Sequence, residues 1–88
     1  MQICENIETD REYYWKRTNS WIWNGAERWW EVFVVFLGFN GVGGVWIEEH
    51  WRWNGSAQNV YHPRRTLSLH ETFELIEEIK LVNATQTQ

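Results

Sequence analysis

The pattern of hydrophobic and polar positions changes its period once along the chain, near Pro63. Between residues 12 and 62 the apolar side chains alternate or run continuously, as in half-buried and fully buried β-strands. The segment WWEVFVVFL, residues 29–37, is apolar on both parities and predicts a central strand covered on both faces. After Pro63 the spacing becomes helical, with a stripe of Leu69, Phe73, Ile76 and Lys80, and with Leu75, Ile79 and Val82 beside it.

Two Asn-Gly pairs predict the reversals within the β-rich region. WIWNGA (residues 21–26) and WRWNGS (residues 51–56) repeat the same Trp-x-Trp-Asn-Gly motif. Asn-Gly favours a type I′ hairpin turn, which needs a positive φ at both central residues. The predicted cross-strand pairs are Trp23–Ala26, Trp21–Arg28 and Asn19–Trp30 in the first hairpin, and Trp53–Ser56, Trp51–Gln58 and Glu49–Val60 in the second.

We therefore expect one α+β domain spanning residues 1–88. Its core is a four-stranded antiparallel meander (residues 12–62) followed by one carboxy-terminal amphipathic helix (residues 68–82). Ser68 and Glu71 have the spacing of a capping box at the start of that helix. The expected strands are 12–23, 27–37, 44–53 and 56–62, the tail 83–88 is expected to fray, and residues 1–11 fit either a short helix or an edge strand.

Eight tryptophans in 88 residues exceed what one helix can cover on one sheet face. The surplus rings either extend the core, form a dimer interface or contact a partner, because large exposed apolar patches usually mark interaction sites. Trp51 and Trp53 are the candidate anchors, since tryptophan is enriched at interface hot spots.

The net charge of −4 is distributed unevenly. Residues 13–65 carry six basic and four acidic side chains, whereas residues 1–12 and 66–88 are each acidic by three charges. The predicted helix places Glu71, Glu74 and Glu78 about one turn apart on its outward side, with Glu77 adjacent. This row is either a solvated surface or a docking surface that steers a basic partner electrostatically.

The candidate catalytic and metal-ligating groups are sparse, so we predict a protein that is not an enzyme and has no metal or cofactor. Cys4 is the only cysteine, and His70 with Glu74 offers two ligands where a metal site needs three or four. The amino terminus lacks the basic and apolar regions of a signal peptide, and no apolar run approaches the roughly 20 residues of a membrane span. We expect a cytoplasmic protein, located in the host cytoplasm if it is phage-encoded.

The residues from 45 onward also resemble a known family. VWIEEHWRW, a loop, and PRRTLSLHETFELIEEI are similar to the positive cofactor 4 family of single-stranded DNA-binding transcriptional coactivators. The matching positions are Arg64, Arg65, Leu67, Ser68, Leu69 and Phe73. The resemblance covers residues 45–79 and implies four strands, a helix and binding of single-stranded nucleic acid.

Three functions follow as expectations. The first is a protein-binding inhibitor of a nucleic-acid-handling protein that occludes a basic surface through Glu71, Glu74, Glu77, Glu78, Trp51 and Trp53. Its size, acidity and aromatic content are similar to those of phage-encoded inhibitors such as anti-CRISPR proteins. The alternative is a protein that binds single-stranded DNA or RNA through stacked rings and cations. The residues for that alternative are Trp51, Arg52, Trp53, Arg64, Arg65, Lys16, Arg17 and Arg28. The third is a homodimeric structural subunit.

Overall fold

The computed structural model describes residues 2–4 and 6–86. Within this part of the chain the fold is α+β, with short and long strands followed by one helix. The elements are β1 (Gln2–Cys4), β2 (Ile7–Glu8), β3 (Glu12–Trp23), β4 (Ala26–Phe39), β5 (Gly44–Trp53), β6 (Val60–Tyr61), β7 (Arg65–Ser68) and α1 (Leu69–Gln86).

The main sheet is antiparallel and has the order β3-β4-β5, with β6 and β7 both pairing to the far side of β5. The α+β class, the antiparallel sheet and the helix after it are confirmed. The predicted fourth strand, residues 56–62, is wrong in detail, because the edge consists of two short pieces, Val60–Tyr61 and Arg65–Ser68. The ambiguous amino-terminal segment forms its own antiparallel pair, β1 with β2; Met1 and Glu5 lie outside the described residues.

The first Asn-Gly pair forms the predicted turn. Asn24 has a φ of 50° and Gly25 a φ of 75°, and Trp23 pairs with Ala26 as expected. The register then shifts, because β3 bulges between Thr18 and Trp21. Thr18, rather than the predicted Asn19, therefore lies opposite Trp30.

The second Asn-Gly pair forms a different turn. The Ser56 amide donates to the Trp53 carbonyl over 3.1 Å, but only Gly55, with a φ of 96°, has left-handed backbone. Asn54 instead extends the β4–β5 ladder: its Oδ1 accepts the Trp29 amide at 2.8 Å, and its Nδ2 donates to a β4 carbonyl. The strand returns only at residue 60, so the predicted second-hairpin pairs of Trp51 with Gln58 and of Glu49 with Val60 are wrong, and Trp51 lies opposite Val60.

The helix begins with the predicted capping box. The Ser68 amide donates to Glu71 Oε1 over 3.0 Å, and the Glu71 amide donates to Ser68 Oγ over 3.1 Å. The helix continues to Gln86, four residues past its predicted end; within that extension, Asn83 Nδ2 donates to the Tyr14 carbonyl of β3 over 3.0 Å.

The buried stripe of α1 differs from the predicted one. Phe73 is 50% exposed and Leu69 is 40% exposed, whereas Leu75, Ile76 and Ile79 are buried. Thr72 joins them with no exposed surface, because its hydroxyl donates to the Ser68 carbonyl over 2.7 Å and is thereby satisfied without water.

The helix covers only one end of one sheet face, which we call the inner face. There α1 packs on buried residues of β4, β5 and β7, and the β1–β2 pair closes the same core. The members of this core are Ile3, Ile7, Val34, Phe36, Val45, Ile47, Leu67, Leu75, Ile76 and Ile79, with Cys4, Tyr13 and Trp15 packed against them. Because strand side chains alternate, Trp30 and Val32 share the inner face with Val34, beyond the core that the helix forms.

The two Asn-Gly turns are expected to tolerate alanine differently. At Gly55 a Cβ would lie 2.7 Å from Nη1 of Arg28 and 3.2 Å from Cζ3 of Trp53, whereas at Gly25 nothing lies within 4 Å. Gly25→Ala should lower the free energy of unfolding by about 1–2 kcal/mol through backbone strain alone. Gly55→Ala should lower it further, because the Arg28 guanidinium would have to leave its hydrogen bond to Asn54 and Trp53 would have to shift. Urea unfolding measures both, and equal losses would contradict the packing of Arg28 against this turn.

Candidate functional site

Five tryptophans form one connected group on the inner face, beyond the end that the helix covers. We call it the indole cluster: Trp21, Trp23, Trp30, Trp51 and Trp53. The centroid distances are 5.9 Å for Trp21–Trp30, 6.3 Å for Trp21–Trp53, 5.9 Å for Trp23–Trp53 and 6.1 Å for Trp30–Trp51, all at tilted or edge geometry. Such spacings are favourable for aromatic pairs. Trp23 is 52% exposed, and the other four rings are partly exposed.

The cluster already holds one cation of its own chain. The guanidinium of Arg28 lies 5.6 Å from the ring centroid of Trp23 and 5.3 Å from that of Trp53, and it donates to the Asn54 carbonyl over 3.3 Å. Rings at these distances attract a cation through their negative faces. Arg28, Trp23 and Trp53 therefore make up one packed unit at the two turns.

Trp51 is the ring of the cluster that connects it to the helix end of the sheet. Its indole N–H donates to Glu49 over 2.7 Å, and Arg65 of β7 donates to the other oxygen of that carboxylate over 2.7 Å. Burial would raise the pKa of Glu49, but the hydrogen bonds from Arg65 and Trp51 hold it below its ordinary value. The ring also contacts His62 at a centroid distance of 4.5 Å. The hydrogen bond to Glu49 and the contact with His62 together fix the orientation of Trp51.

Three of the four predicted helix carboxylates line a groove between α1 and the sheet. Glu71, Glu74 and Glu78 surround about 180 Å³ of open space together with Trp15 and Arg65. All three glutamates are exposed, as predicted from the helical spacing. The groove and the indole cluster lie on the same side of the molecule, since Arg65 lines the groove and donates to Glu49, the carboxylate that also accepts the Trp51 N–H.

The carboxylates of the row are engaged to different degrees. Glu71 serves the capping box, and the backbone hydrogen bond at Ser68 lowers its pKa. Glu78 accepts the Trp15 indole N–H over 3.3 Å, and Glu74 lies 2.8 Å from His70. Glu77 is exposed but does not line the groove, so the structure does not bring all four predicted residues together.

The cations predicted for nucleic-acid binding are divided between the two faces. Arg17 and Arg52 pair in register with Glu31, and Arg64 bonds Glu48, so these three lie on the outer face, opposite the helix. Arg28 and Arg65 lie on the inner face with Trp51 and Trp53. Most already have a partner: Arg52 stacks on Phe33 at 3.7 Å, Arg17 on Trp29 at 4.7 Å and Lys16 on Trp15 at 4.0 Å.

The outer face carries an ionic cluster that sequence reasoning missed. His50 Nδ1 lies 2.6 Å from Glu12, and its Nε2 lies 2.9 Å from Glu48. Both ring nitrogens can donate only when the imidazole is protonated. Burial would lower the pKa of His50, but the bonds to Glu48 and Glu12 raise it above its ordinary value. The i, i+2 spacing of Glu48 and His50 on one strand was visible in the sequence; the contribution of Glu12 from β3 was not.

The same contacts lower the pKa values of the Glu12 and Glu48 carboxylates. The hydrogen bond from His50 lowers the pKa of Glu48; burial opposes the shift at Glu12, where bonds from His50 and Arg52 also hold the pKa low. The His50 ring packs edge-on to Tyr61 at 4.5 Å. Across the described part of the chain, no group of three or more His, Cys, Asp or Glu side chains has an arrangement that could hold a metal ion. The geometry is that of an ionic clamp that ties β3 to β5 across β4.

Comparison with protein-family models, with curated proteins and with solved structures gives no match for this chain. Among the described residues, no helix is long and apolar enough to cross a membrane.

The His50 clamp predicts how stability depends on pH. The folded-state pKa of His50 is raised, so its contribution is fully present below about pH 6.5, the unfolded value, and is lost as the pH rises through the folded value. The lowered values at Glu12 and Glu48 stabilise above about pH 4.3 and are lost on acidification below it. The urea midpoint, measured as a function of pH, should therefore be highest between these limits.

His50→Gln should remove most of the decline in the urea midpoint at alkaline pH. The reason is that a neutral amide cannot replace the positive charge that a protonated imidazole places between Glu12 and Glu48. His70→Gln, on the exposed surface of α1, is the control and should retain the wild-type profile. An unchanged decline in His50→Gln would contradict the clamp.

Proposed function

We propose that the protein is a non-enzymatic binding module that inhibits or modulates a nucleic-acid-handling protein by covering its basic surface. The observation that carries this proposal is the common orientation of the acidic row and the indole cluster. Glu71, Glu74 and Glu78 border a groove that opens on the same face as Trp51 and its neighbouring rings. A rigid aromatic floor beside fixed negative charge is suited to an apolar and cationic protein surface.

The charges on the sheet favour a protein partner over nucleic acid. Phosphate binding needs several cations on one surface, because neutralised phosphates supply most of the non-specific affinity. Here the cations are split between two faces, and Arg52, Arg64 and Arg65 are already bonded to glutamates of the chain. The net charge of −4 opposes a polyanion further.

Electrostatics also explain why the target would be a nucleic-acid-handling protein. Such proteins present a basic patch or stripe on which phosphates bind. An acidic surface steers itself toward that patch and raises the rate of encounter. Occupation of the patch then excludes nucleic acid by competition for the same cations. In size, acidity and density of aromatic residues, this arrangement is similar to that of phage-encoded inhibitors such as anti-CRISPR proteins.

A pair of substitutions that neutralises two carboxylates tests the proposal without disturbing the cap of the helix. Glu74→Gln with Glu78→Gln removes two charges from the groove while an amide oxygen remains to accept the Trp15 N–H. Glu77→Gln removes an exposed charge outside the groove and is the control. Immobilised wild-type protein should retain a partner from nuclease-treated lysate and, when added in excess, release a labelled oligonucleotide from that partner.

The double variant should lose both the retention and the release, whereas Glu77→Gln should keep both. In a parallel titration, single-stranded oligonucleotides should leave the tryptophan fluorescence of the wild-type protein unchanged at low salt. Micromolar quenching that weakens with added salt would overturn the proposal in favour of direct nucleic-acid binding. Retention of a partner whose nucleic acid is not displaced would overturn the inhibitory role.

A further inference from the structure

We infer that the groove between α1 and the sheet, together with the indole cluster on the same face, binds an extended, arginine-bearing segment of the partner. The inference rests on the proposed function and specifies its chemistry: guanidinium groups stack on indole faces and bond the carboxylates of the helix. Charge complementarity and the packing of the chain's own arginines on aromatic rings favour such a segment.

The groove lies beside α1, between residues of the two edges of the sheet. Its lining includes Trp15 of β3 and Arg65 and Leu67 of β7, and β4 and β5 lie between these two strands in the sheet. Three strand spacings of about 4.8 Å give a width of about 14 Å, which four extended residues span at about 3.3 Å each. Within that width, side chains on one side of the segment face α1 and those on the other reach the indoles.

The chain's own arginines show the stacking geometry that the surface accepts. Arg28 packs on Trp23 and Trp53, Arg17 on Trp29 and Arg52 on Phe33. A planar guanidinium stacks on an aromatic face and keeps its in-plane donors available, which an ammonium group does not. Arginine on an aromatic ring is thus the recurrent contact of this sheet.

Three rings of the cluster have no cation–π partner within the described part of the chain, although Trp51 has the His62 ring against it at a centroid distance of 4.5 Å. Within the described residues, no cation of this chain lies over Trp21, Trp30 or Trp51. Of the cluster residues on β5, Trp51 lies nearer than Trp53 to the end of the sheet that α1 covers. It is two residues along β5 from Glu49, which accepts its N–H. A guanidinium on Trp51 or Trp30 therefore lies on the side of the cluster that faces the carboxylates.

The carboxylates of the groove are available for such a contact. Glu74 and Glu78 are exposed, and their contacts within the chain are with His70 and the Trp15 indole. Lys80, the one basic residue of segment 66–88, lines a different cavity, between the helix and the start of β3. Each exposed carboxylate retains acceptor sites for the paired donors of a guanidinium.

Two synthetic peptides of equal charge test the inference. One alternates arginine with serine over about ten residues, or about 33 Å when extended, and the other has lysine at every arginine position. Calorimetry and tryptophan fluorescence should show the arginine peptide binding about tenfold more tightly, because an ammonium ion lacks the stacked and bidentate contacts.

Matched variants locate the site. Glu74→Gln with Glu78→Gln and, separately, Trp51→Leu should each weaken the arginine peptide by about tenfold or more. Glu77→Gln and Trp46→Leu are the controls, since Glu77 lies off the groove and Trp46 is an exposed ring on the outer face; neither should change the affinity. Trp51→Phe, which keeps an aromatic face, should lose less than Trp51→Leu and guards against a leucine variant that misfolds.

Equal affinity for the two peptides, or equal weakening by Glu77→Gln, would overturn the inference and leave only a diffuse charge effect. Tighter binding of a single-stranded oligonucleotide through Trp51 would replace it with nucleic-acid recognition. Failure here differs from failure of the proposed function. If the protein displaces nucleic acid from its partner but ignores the arginine peptide, the inhibitory role remains and the extended-segment mode is excluded. If the protein binds the arginine peptide but displaces no nucleic acid from its partner, the extended-segment mode remains and the inhibitory role is excluded.

Discussion

The mismatch between the length of the strands and the width of the only described helix determines the organisation of the surface. Strand β4 has 14 residues and extends about 46 Å, whereas α1 crosses the strands from β7 to Tyr14 of β3 and is about 10 Å wide. The helix caps one end of the inner face, and the remainder needs another cover. Indole rings supply it: Val32, on the inner face but not among the residues that pack with α1, has no exposed surface. The same rings that protect the strands are themselves partly exposed and so form an aromatic surface.

The second Asn-Gly turn stabilises the end of the sheet that the helix does not reach. Asn54 bonds the backbone of β4 through its amide group, and Arg28 packs between the two turns against Trp53. These contacts hold the indoles in fixed relative positions. On the opposite face, the His50 clamp ties the same three long strands together. The indole cluster is consequently carried by strands that are tied together on both faces.

Local signals in the sequence were enough to predict the turn of the first hairpin, the capping box and the order in which the sheet and the helix follow each other. Asn24-Gly25 and Ser68–Glu71 act over a few residues, so their chemistry is visible in the sequence. The edge of the sheet was not predictable in this way, because Asn54 uses its side chain on β4, a strand distant in sequence, and the chain re-pairs only at residue 60. The bulge at Asn19 likewise depends on cross-strand register.

In the candidate site, too, features set by neighbouring residues were predictable, whereas features set by contacts distant in sequence were not. The exposure of Glu71, Glu74 and Glu78 follows from helical periodicity, whereas their position in a groove beside the sheet, and the separation of Glu77 from them, depend on how α1 lies across the sheet. That Trp51 and Arg52 point to opposite faces follows from strand alternation, although the sequence prediction grouped them in one binding surface. Phe73 was assigned to the buried stripe by its hydrophobicity, and Thr72 took that place because its hydroxyl is satisfied by Ser68.

The central claim is that the indole cluster is assembled within one chain and remains open on one side. Isotope-filtered nuclear Overhauser spectroscopy on a mixture of labelled and unlabelled protein tests it most directly. The account predicts strong intramolecular cross-peaks between the rings of Trp21 and Trp30 and between those of Trp30 and Trp51, with no intermolecular cross-peaks to either pair. Cross-peaks that connect these rings only between different chains would contradict it, because the cluster would then be the interface of a dimer.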